Sequence, residues 1–189
     1  QGSYGLVIAG DNGGLALMPI TPPESDLLER NISVTLTDSG AVTGKISEKA
    51  SGQTSAYFRR EHRSLSSSDF RKVIEGWLTN GSAGAQLVGL SANDKQAQSG
   101  FDLDVEFAAP KYGQVMQNRL LVFKPVIVGR RNAIFLTEPK RTNPIEMDSH
   151  AMRETVTFQL PVGFVVDEVP DPVNLETPFG KYTTKYDTK

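Results

Sequence analysis

The 189-residue sequence contains no cysteine. A thiol nucleophile, a disulfide framework and a thiolate metal site are therefore excluded. An excess of charge of one sign is lacking as well, since 20 Lys and Arg stand against 22 Asp and Glu, for a formal net charge of -2. A protein that binds nucleic acid or an anionic membrane needs a clear basic excess. We therefore expect no nucleic-acid partner.

Long hydrophobic runs are also missing. The longest apolar stretches, such as residues 120–123 and 126–128, are far too short to span a bilayer. The first residues lack the basic start and apolar centre of a signal peptide. Leu, Ile, Val and Phe nevertheless make up about 26% of the chain, above the roughly 20% that marks disordered chains. We expect a soluble globular protein that does not span a membrane.

Residues 1–23 have the pattern of a β-hairpin followed by a linker. Two short apolar runs, residues 4–9 and 15–18, flank the pair Asn12-Gly13, which tolerates the positive φ angles of tight turns. Three prolines follow within a few residues and favour an extended chain. The segment is predicted to be a hairpin that leads into the next domain.

Residues 24–112 have the pattern of an α+β domain in the order β-β-α-α-β-β. Ile32, Val34 and Leu36 alternate with polar residues, which is the period of a strand with one buried face. A partner strand is predicted from residue 42 to residue 47, and residues 101–107 repeat the alternation with acidic residues on the outer side. We predict that two helices cover one face of this antiparallel sheet.

The two helices are predicted from their own spacing. Residues 53–63 form the first, with basic residues towards its end, where they suit the helix dipole. The second carries apolar residues at the positions i, i+3, i+4, i+7 and i+8 from Phe70. Ser66 and Asp69 resemble a capping box at its start. Asn80-Gly81 is predicted to end it in the left-handed conformation.

Residues 113–189 are predicted to form a β-rich, sandwich-like domain. The strand candidates alternate apolar and polar residues and are separated by turn and proline signals. A loop is predicted where Glu138 to Pro144 concentrate charge and proline. The candidate strands are residues 115–123, 133–136, 154–160 and 179–186.

The two histidines do not form a recognisable site. His62 follows two arginines near the end of the first predicted helix, and His150 lies in the polar turn after Asp148. Neither belongs to a His-x-His or His-Glu-x-x-His spacing, so no helical metal pair is predicted. An acid–base or anion site at His62 is the alternative to a solvated helix end, and we favour the helix end.

Asp102, Asp104 and Glu106 are the candidate ligands for a hard cation. They share one face of a predicted strand, and carboxylate oxygens are the ligands that calcium prefers. The row spans about 13 Å, which is too long for one ion without help from a loop. We favour an outer face of ordinary charged residues and predict no metal site, although an enzyme that uses one of these carboxylates remains a third hypothesis.

The remaining motifs predict no catalytic residue and no cofactor. Gly13-Gly14 lies between strands and Gly81 to Gly84 follow a helix, so neither is the strand-to-helix loop that holds phosphate. A Gly-x-Ser-x-Gly elbow is absent. Tyr182, Tyr186 and Phe179 share strand spacing, which suits either ligand stacking or sheet packing, and we favour packing.

Several short motifs along the chain carry a resemblance to a known family. They are Gly5 to Ala9, Leu17 to Glu24, Glu29-Arg30-Asn31 with the strand Ile32 to Leu36, Gly52 with Arg59-Arg60, Pro139, Arg141, Pro144 and Ile145, Glu154 to Leu160 with Pro161, Gly163 and Phe164, and Phe179-Gly180. Together they resemble the C-terminal region of bacterial secreted transglutaminase-like proteins. Those proteins have a papain-like core and domains of unknown function.

The resemblance implies a place within a larger protein. The family's catalytic Cys, His and Asp belong to the papain-like core, upstream of the matched region, and no position of this sequence corresponds to that cysteine. Residues 5–18 would correspond to the last hairpin of the core. An extracytoplasmic location, periplasmic or secreted, is implied because family members carry signal sequences.

Two hypotheses for function follow. The first is a non-catalytic accessory or structural module that supports the upstream core or binds a protein or cell-surface polymer. The second is an independent extracellular module that binds glycan or peptide through a sheet face or an edge strand. Under either hypothesis we expect this chain not to be an enzyme. A large exposed apolar patch between residues 5 and 20 would favour the first.

Overall fold

The computed structural model describes residues 2–117, 119–129 and 149–188. The contacts divide the chain into two units, Gln1–Gln159 and Leu160–Lys189. The α+β class and the order β-β-α-α-β-β are confirmed in the first unit. Its elements are β1 (Tyr4–Val7), β2 (Gly14–Leu17), β3 (Leu27–Leu36), β4 (Val42–Ser51), α1 (Gly52–Ser64), α2 (Ser67–Gly81), β5 (Gln86–Lys95), β6 (Gly100–Ala109), β7 (Gln114–Met116), β8 (Leu120–Val122) and β9 (Ala151–Gln159). The second unit contains β10 (Val173–Thr177) and β11 (Gly180–Thr184), an antiparallel hairpin.

A five-stranded sheet organises the first unit, in the order β5-β6-β4-β3-β9. All neighbours are antiparallel except β3 and β9, which are parallel. Apolar and polar residues alternate along these strands as predicted. Because every second side chain points to the same face, the apolar residues lie together on the inner face of the sheet. The residues of that inner face of β3, β4 and β6 are buried. They are Arg30, Ile32, Val34, Leu36, Val42, Ile46, Glu48, Ala50, Phe101, Leu103, Val105, Phe107 and Ala109.

The helices lie where the sequence predicts them, and each has a defined start. The Ser66 Oγ accepts a hydrogen bond from the Asp69 backbone N–H at 3.1 Å, which caps α2 as expected. Helix α1 is capped from outside its own segment, because Asp26 Oδ1 accepts from the Gln53 N–H at 2.6 Å. Asp26 is buried in a short 3-10 turn, Pro23–Asp26. That turn joins the N-terminal segment to β3 and α1.

The end of α2 differs from the prediction. Gly81 is the last helical residue and does not adopt a positive φ, whereas Gly84 does. Gly81 is instead needed for a close approach: a Cβ there would lie 2.5 Å from both the Ile127 carbonyl oxygen and the Val128 Cα. Ser82 Oγ donates to the same carbonyl at 2.7 Å. The segment around Ile127 therefore packs directly on the end of α2.

Tyr112 and Phe123 pack against the inner side of β9. Phe158 of β9 lies 5.0 Å from the Phe123 ring and stacks on Tyr112 at 6.3 Å between centroids. The Tyr112 hydroxyl donates to the Lys124 carbonyl, and burial raises the pKa of Tyr112 to about 12. These aromatic contacts extend the core beyond the helices.

The described strands of the C-terminal third belong to three different sheets. Within the described part of residues 113–189, β7 pairs with β8, β10 pairs with β11, and β9 joins the five-stranded sheet. An alternating pattern predicts a strand but not its partner. The domain ranges 1–23, 24–112 and 113–189 stay predictions, and the predicted strand 133–136 and loop 138–144 lie outside the described residues.

Two further elements differ in extent. The polar sequence of residues 91–99 predicts a loop, but β5 continues through it to Lys95, because its outward residues are polar while its backbone still pairs with β6. The predicted single strand 115–123 is a short hairpin, β7 and β8. No helix in the described ranges is long and apolar enough to cross a bilayer.

Candidate functional site

Strands β1 and β2 form an antiparallel sheet of their own, which we call the apolar hairpin (residues 4–17). Tyr4 is opposite Leu17 and Leu6 is opposite Leu15, so these four side chains share one face. They are 71%, 61%, 70% and 72% exposed, respectively. A two-stranded hairpin has little stability by itself in water. A solvent-exposed apolar face of this kind is typical of an interaction site.

The apolar hairpin is almost free of charge. Asp11 is the only charged residue among residues 2–20, and it lies in the 3-10 turn Gly10–Asn12 between the two strands. Further large apolar side chains flank the hairpin face and are also exposed, namely Val7, Ile8, Met18 and Ile20. The exposed apolar surface therefore continues beyond the strands on both sides. Such a surface suits an apolar protein partner.

A second exposed surface is the outer face of the five-stranded sheet, which we call the polar outer face. Its central side chains are hydroxyls and amides, and they line a shallow groove of about 470 Å³ together with one ion pair. Lys45 Nζ contacts Glu106 Oε1 at 2.8 Å, and this hydrogen bond raises the pKa of Lys45 above its usual range. The hydroxyl and amide residues of the groove are Ser33, Thr35, Thr43, Thr157 and Gln159.

The charges of the polar outer face neutralise one another. Besides Lys45 and Glu106, Lys95 pairs with Asp102 and Arg153 lies 3.9 Å from Glu29. The lining of the groove also includes the apolar residues Val34, Val88 and Phe107. The face therefore offers hydrogen-bonding groups without a net field, which suits a neutral polar ligand better than a charged one.

The edge of the sheet at β5 is protected. A bulge lies between Leu87 and Gly89, and Arg71 of α2 donates from Nη2 to the Leu87 carbonyl at 2.9 Å. Bulges and charged side chains are the usual means by which an edge strand is kept from pairing with another chain. The edge-strand hypothesis therefore finds no support at β5.

The third notable feature is a buried ion-pair cluster, which we call the Arg30 cluster. Arg30 is 1% exposed and donates from Nε to Glu48 Oε1 and from Nη1 to Glu154 Oε2, both at 2.7 Å. Glu48 is as buried as Arg30. Buried charges persist only when they are paired and hydrogen-bonded. The Arg30 Nη2 atom has no acceptor among the described residues.

Helix α2 and residue 129 complete the surroundings of Arg30. The guanidinium lies 5.1 Å from the ring centroid of Trp77, close enough for a cation–π interaction. The Trp77 Nε1 donates to the Gly129 carbonyl at 3.0 Å, and Arg30 Nη1 reaches the same oxygen at 3.4 Å. The cluster thus joins β3, β4, β9, α2 and residue 129 at one point.

The two histidines, His62 and His150, lie in different surroundings. His62 packs edge-on against Phe70, with ring centroids 4.8 Å apart, and lies 5.7 Å from Phe101. It therefore borders the core and is half-buried. His150 lies immediately before β9 and is exposed. The structure does not bring the two histidines into a common site.

The acidic row lies on the outer face of β6, as predicted. Asp102 pairs with Lys95, and Glu106 pairs with Lys45, while Asp104 lies between them and is exposed. Among the described residues, no group of three or more metal-ligating side chains is close enough to hold an ion. The row contributes to the polar outer face.

The aromatic residues of the C-terminal unit lie on its hairpin. Tyr182 is opposite Leu175 and Val173 is opposite Thr184, so Val173, Leu175 and Tyr182 share one face. These side chains, together with Phe179 at the turn, are exposed. The strand spacing predicts sheet packing in preference to ligand stacking for this face, and within residues 160–188 the hairpin has no packing layer of its own.

Arg59 and Arg63 converge on one carboxylate at the exposed side of α1. Asp94 Oδ1 accepts from Arg59 Nε and Oδ2 accepts from Arg63 Nη2, both at 2.6 Å. The hydrogen bond from Arg59 lowers the pKa of Asp94 below its usual range. The arginines therefore fasten α1 to β5.

Sequence reasoning missed the Arg30 cluster. Arg30 and Glu48 are 18 residues apart and Arg30 and Glu154 are 124 apart, so no local spacing relates them. One signal was present, because charged residues occupy positions that the strand alternation assigns to the inner face. A charge at a predicted buried position indicates a buried partner.

One family model matches part of the chain. Residues 118–189 match DUF3858, described as a domain of unknown function with solved structure. This agrees with the expectation of a domain of unknown function. No curated protein and no solved structure matches the chain. The matched region begins just before β8 and includes β9, whereas β3 to β6 and both helices lie outside it.

Proposed function

We propose that this chain is a non-catalytic accessory module of a secreted, transglutaminase-like or protease-like protein, and that the apolar hairpin docks on the papain-like core of that protein. The observation that carries the proposal is the exposed face of Tyr4, Leu6, Leu15 and Leu17. The resemblance supplies the partner, because it relates residues 5–18 to the last hairpin of such a core. An extracytoplasmic location belongs to the same proposal.

The size of the exposed surface supports a protein partner with a cleft. Residues 4–20 contain eight large, exposed apolar side chains. At roughly 150–200 Å² for each fully exposed side chain they present on the order of 900 Å², close to the ~800 Å² that each partner contributes to a standard interface. The four-residue face alone would bury only about 1,000 Å² in a dimer of two copies, below the usual range for a stable complex.

The charge of the hairpin supports a protein partner over a lipid one. Asp11 lies at the tip of the hairpin, and no Lys or Arg is present among residues 2–20. Insertion of the tip into a bilayer would carry a carboxylate into hydrocarbon, which is costly. Without basic residues, the hairpin also has no attraction to anionic headgroups.

The test begins with the coding sequence upstream of Gln1. A papain-like core with Cys, His and Asp encoded there is expected, and its absence refutes the proposed partner. The expressed core is then added to this chain, and amide hydrogen exchange of residues 4–17 is measured with and without it. We expect the exchange of the hairpin amides to slow in the presence of the core, and unchanged exchange contradicts the docking.

Matched variants localise the contact. The double substitution Leu6→Ser and Leu15→Ser removes one cross-strand pair of the exposed face, and binding to the core should weaken by at least tenfold for about 1.4 kcal/mol of lost contact. Val88→Ser is the control, since Val88 is also largely exposed but lies on β5. Equal effects of the two changes would show that the hairpin is not the docking surface.

A second candidate function rests on the polar outer face. Its uncharged hydroxyls and amides around the groove suit a glycan or an extended peptide, as an independent extracellular binding module would require. Arrays of glycans and peptides test this possibility, with Ser33→Ala and Thr43→Val as variants that remove two hydrogen-bonding groups. Binding that is absent, or that survives both changes, contradicts this function.

A further inference from the structure

Strand β9 is a member of the five-stranded sheet whose register no turn determines. Strand β3 ends at Leu36, β9 begins at Ala151, and the two run parallel. Parallel neighbours cannot be joined by a tight hairpin loop. In the antiparallel pair β3 and β4, by contrast, a short turn restricts the register. The register of β9 must therefore be determined by side chains.

The apolar residues of β9 distinguish registers poorly. Its inward positions are Met152, Glu154, Val156 and Phe158, at the register positions of Leu28, Arg30, Ile32 and Val34 of β3. A slip of one residue is excluded because it would turn all of these outward. A slip of two residues keeps every one of them inward, and Phe158 would then lie opposite Ile32 or Leu36 in place of Val34.

Glu154 is different, because its position decides whether two charges are paired. In the observed register its Oε2 accepts from Arg30 Nη1 at 2.7 Å, and Arg30 is 1% exposed. A slip of two residues would move Met152 or Val156 to the position of Glu154 and would leave the carboxylate beside an apolar residue. The Glu154 side chain is 28% exposed, so the cost of the slip falls on the buried Arg30 guanidinium, which would keep Glu48 but lose the second of its two carboxylate partners.

We infer that Arg30 and Glu48 form a recognition site for β9, in which the ion pair with Glu154 selects the register of this strand. On the β4 side, Glu48 accepts the hydrogen bond that the Arg30 Nε atom donates. The Trp77 ring covers it, with Arg30 5.1 Å from the ring centroid. The site therefore fits a strand that carries one acidic side chain among apolar ones. Its ligand is a segment of the DUF3858 match.

The absence of cysteine allows a direct test of register. Asn31 is the register partner of Thr155, and both are exposed on the outer face. An Asn31→Cys and Thr155→Cys pair reports the observed register, whereas Asn31→Cys with Arg153→Cys or Thr157→Cys reports a slip of two. Neighbouring strands are about 4.8 Å apart and two residues rise about 6.6 Å, so a mismatched pair lies beyond the roughly 7 Å reach of a disulfide.

With the natural inner face, we expect oxidation to join residue 31 to residue 155 and to neither alternative. The near-isosteric change Glu154→Gln should abolish this exclusivity and allow joining to 153 or 157 as well. Moving the acid by the double change Met152→Glu and Glu154→Met should shift the crosslink from 155 to 153. Circular dichroism and the fluorescence of Trp77, the only tryptophan, confirm that each chain is folded.

The matched control is Phe158→Leu. Phe158 is the other specific anchor of β9, through its contact with Phe123, and its shortening should leave the crosslink at 155 exclusive. The Glu154→Gln chain decides the inference irrespective of whether the double variant folds. An exclusive crosslink at 155 in Glu154→Gln would overturn the inference, and so would loss of exclusivity in Phe158→Leu alone.

Discussion

The apolar hairpin and the pair β3–β4 have the same cross-strand pattern of apolar residues but differ in the burial of those residues. Both are antiparallel pairs in which large apolar side chains face one another across the strands. In β3–β4 those side chains are buried beneath the helices, and Ile46 is completely inaccessible. In the hairpin the corresponding side chains are exposed. The alternation determines the strand, but burial depends on a covering layer from elsewhere in the sequence.

The largest expected effect tests that comparison directly. Ile46→Ala removes three carbons from the closed core and should lower the free energy of unfolding by about 2–5 kcal/mol. Leu6→Ala removes as many carbons from the hairpin, where they are already in water, and should change it by less than about 0.5 kcal/mol. Urea denaturation followed by Trp77 fluorescence measures both. A Leu6→Ala loss that equals the Ile46→Ala loss would show that the hairpin is covered in the isolated chain.

The next prediction compares two glycines of α2. An Ala side chain at Gly81 would meet backbone atoms of Ile127 and Val128 at 2.5 Å, so Gly81→Ala should cost about 1–3 kcal/mol through displacement of the covering segment. Gly76 has open space around its Cβ position, and Gly76→Ala should stabilise the helix by about 0.5–1 kcal/mol. Thermal denaturation should therefore move in opposite directions for the two variants.

A smaller effect is expected at Asp26, which lies where the exposed N-terminal segment meets the covered sheet. Asp26 lies between the hairpin segment and β3, and its carboxylate caps α1. Asp26→Ala should lower the free energy of unfolding by about 1 kcal/mol, as for other lost N-caps. Because Asp26→Asn retains an acceptor, it is expected to lose less. If both variants are as stable as the wild type, the covered region does not depend on this cap.

Local patterns allowed the elements to be predicted, whereas the contacts between distant elements escaped prediction. The spacing of Phe70 and Ile74 and the cap at Ser66 are properties of one segment, and α2 is where they place it. The cap of α1 comes from Asp26, 27 residues before its partner, and the Arg30 cluster joins residues up to 124 apart. These contacts exist only once the sheet has assembled. For the same reason, the strand at residues 154–160 was predicted without its parallel partner.

The candidate site was only partly predictable. The sequence indicated an apolar hairpin at residues 4–18 and an acidic outer side on β6, and both are present. That the outer charges are paired with Lys45 and Lys95 depends on register across strands. The groove on the polar outer face likewise arises from five strands side by side. A single strand's pattern contains none of this information.

The smallest expected effect is a pH dependence of the free energy of unfolding that arises in the covered region, where α1 lies on the sheet. Asp94 accepts hydrogen bonds from Arg59 and Arg63, and the Arg59 bond lowers the pKa of Asp94 below its usual range. A carboxyl whose pKa is lower in the folded than in the unfolded state, where it is about 3.9, stabilises the fold above that value. The stabilisation is lost as the pH falls through the folded-state pKa.

We therefore expect Asp94→Asn to be slightly less stable than the wild type at pH 7, with a difference that shrinks below about pH 4 and disappears below the folded-state pKa of Asp94. Urea denaturation at a series of pH values measures the difference. The reference is Gly76→Ala, whose gain arises from backbone entropy and should not vary with pH. A difference between Asp94→Asn and the wild type that persists unchanged at acid pH would mean that the Asp94 carboxylate does not fasten α1 to β5. The covering layer would then be held by its other contacts, which are apolar packing and hydrogen bonds such as that from Arg71 to the Leu87 carbonyl.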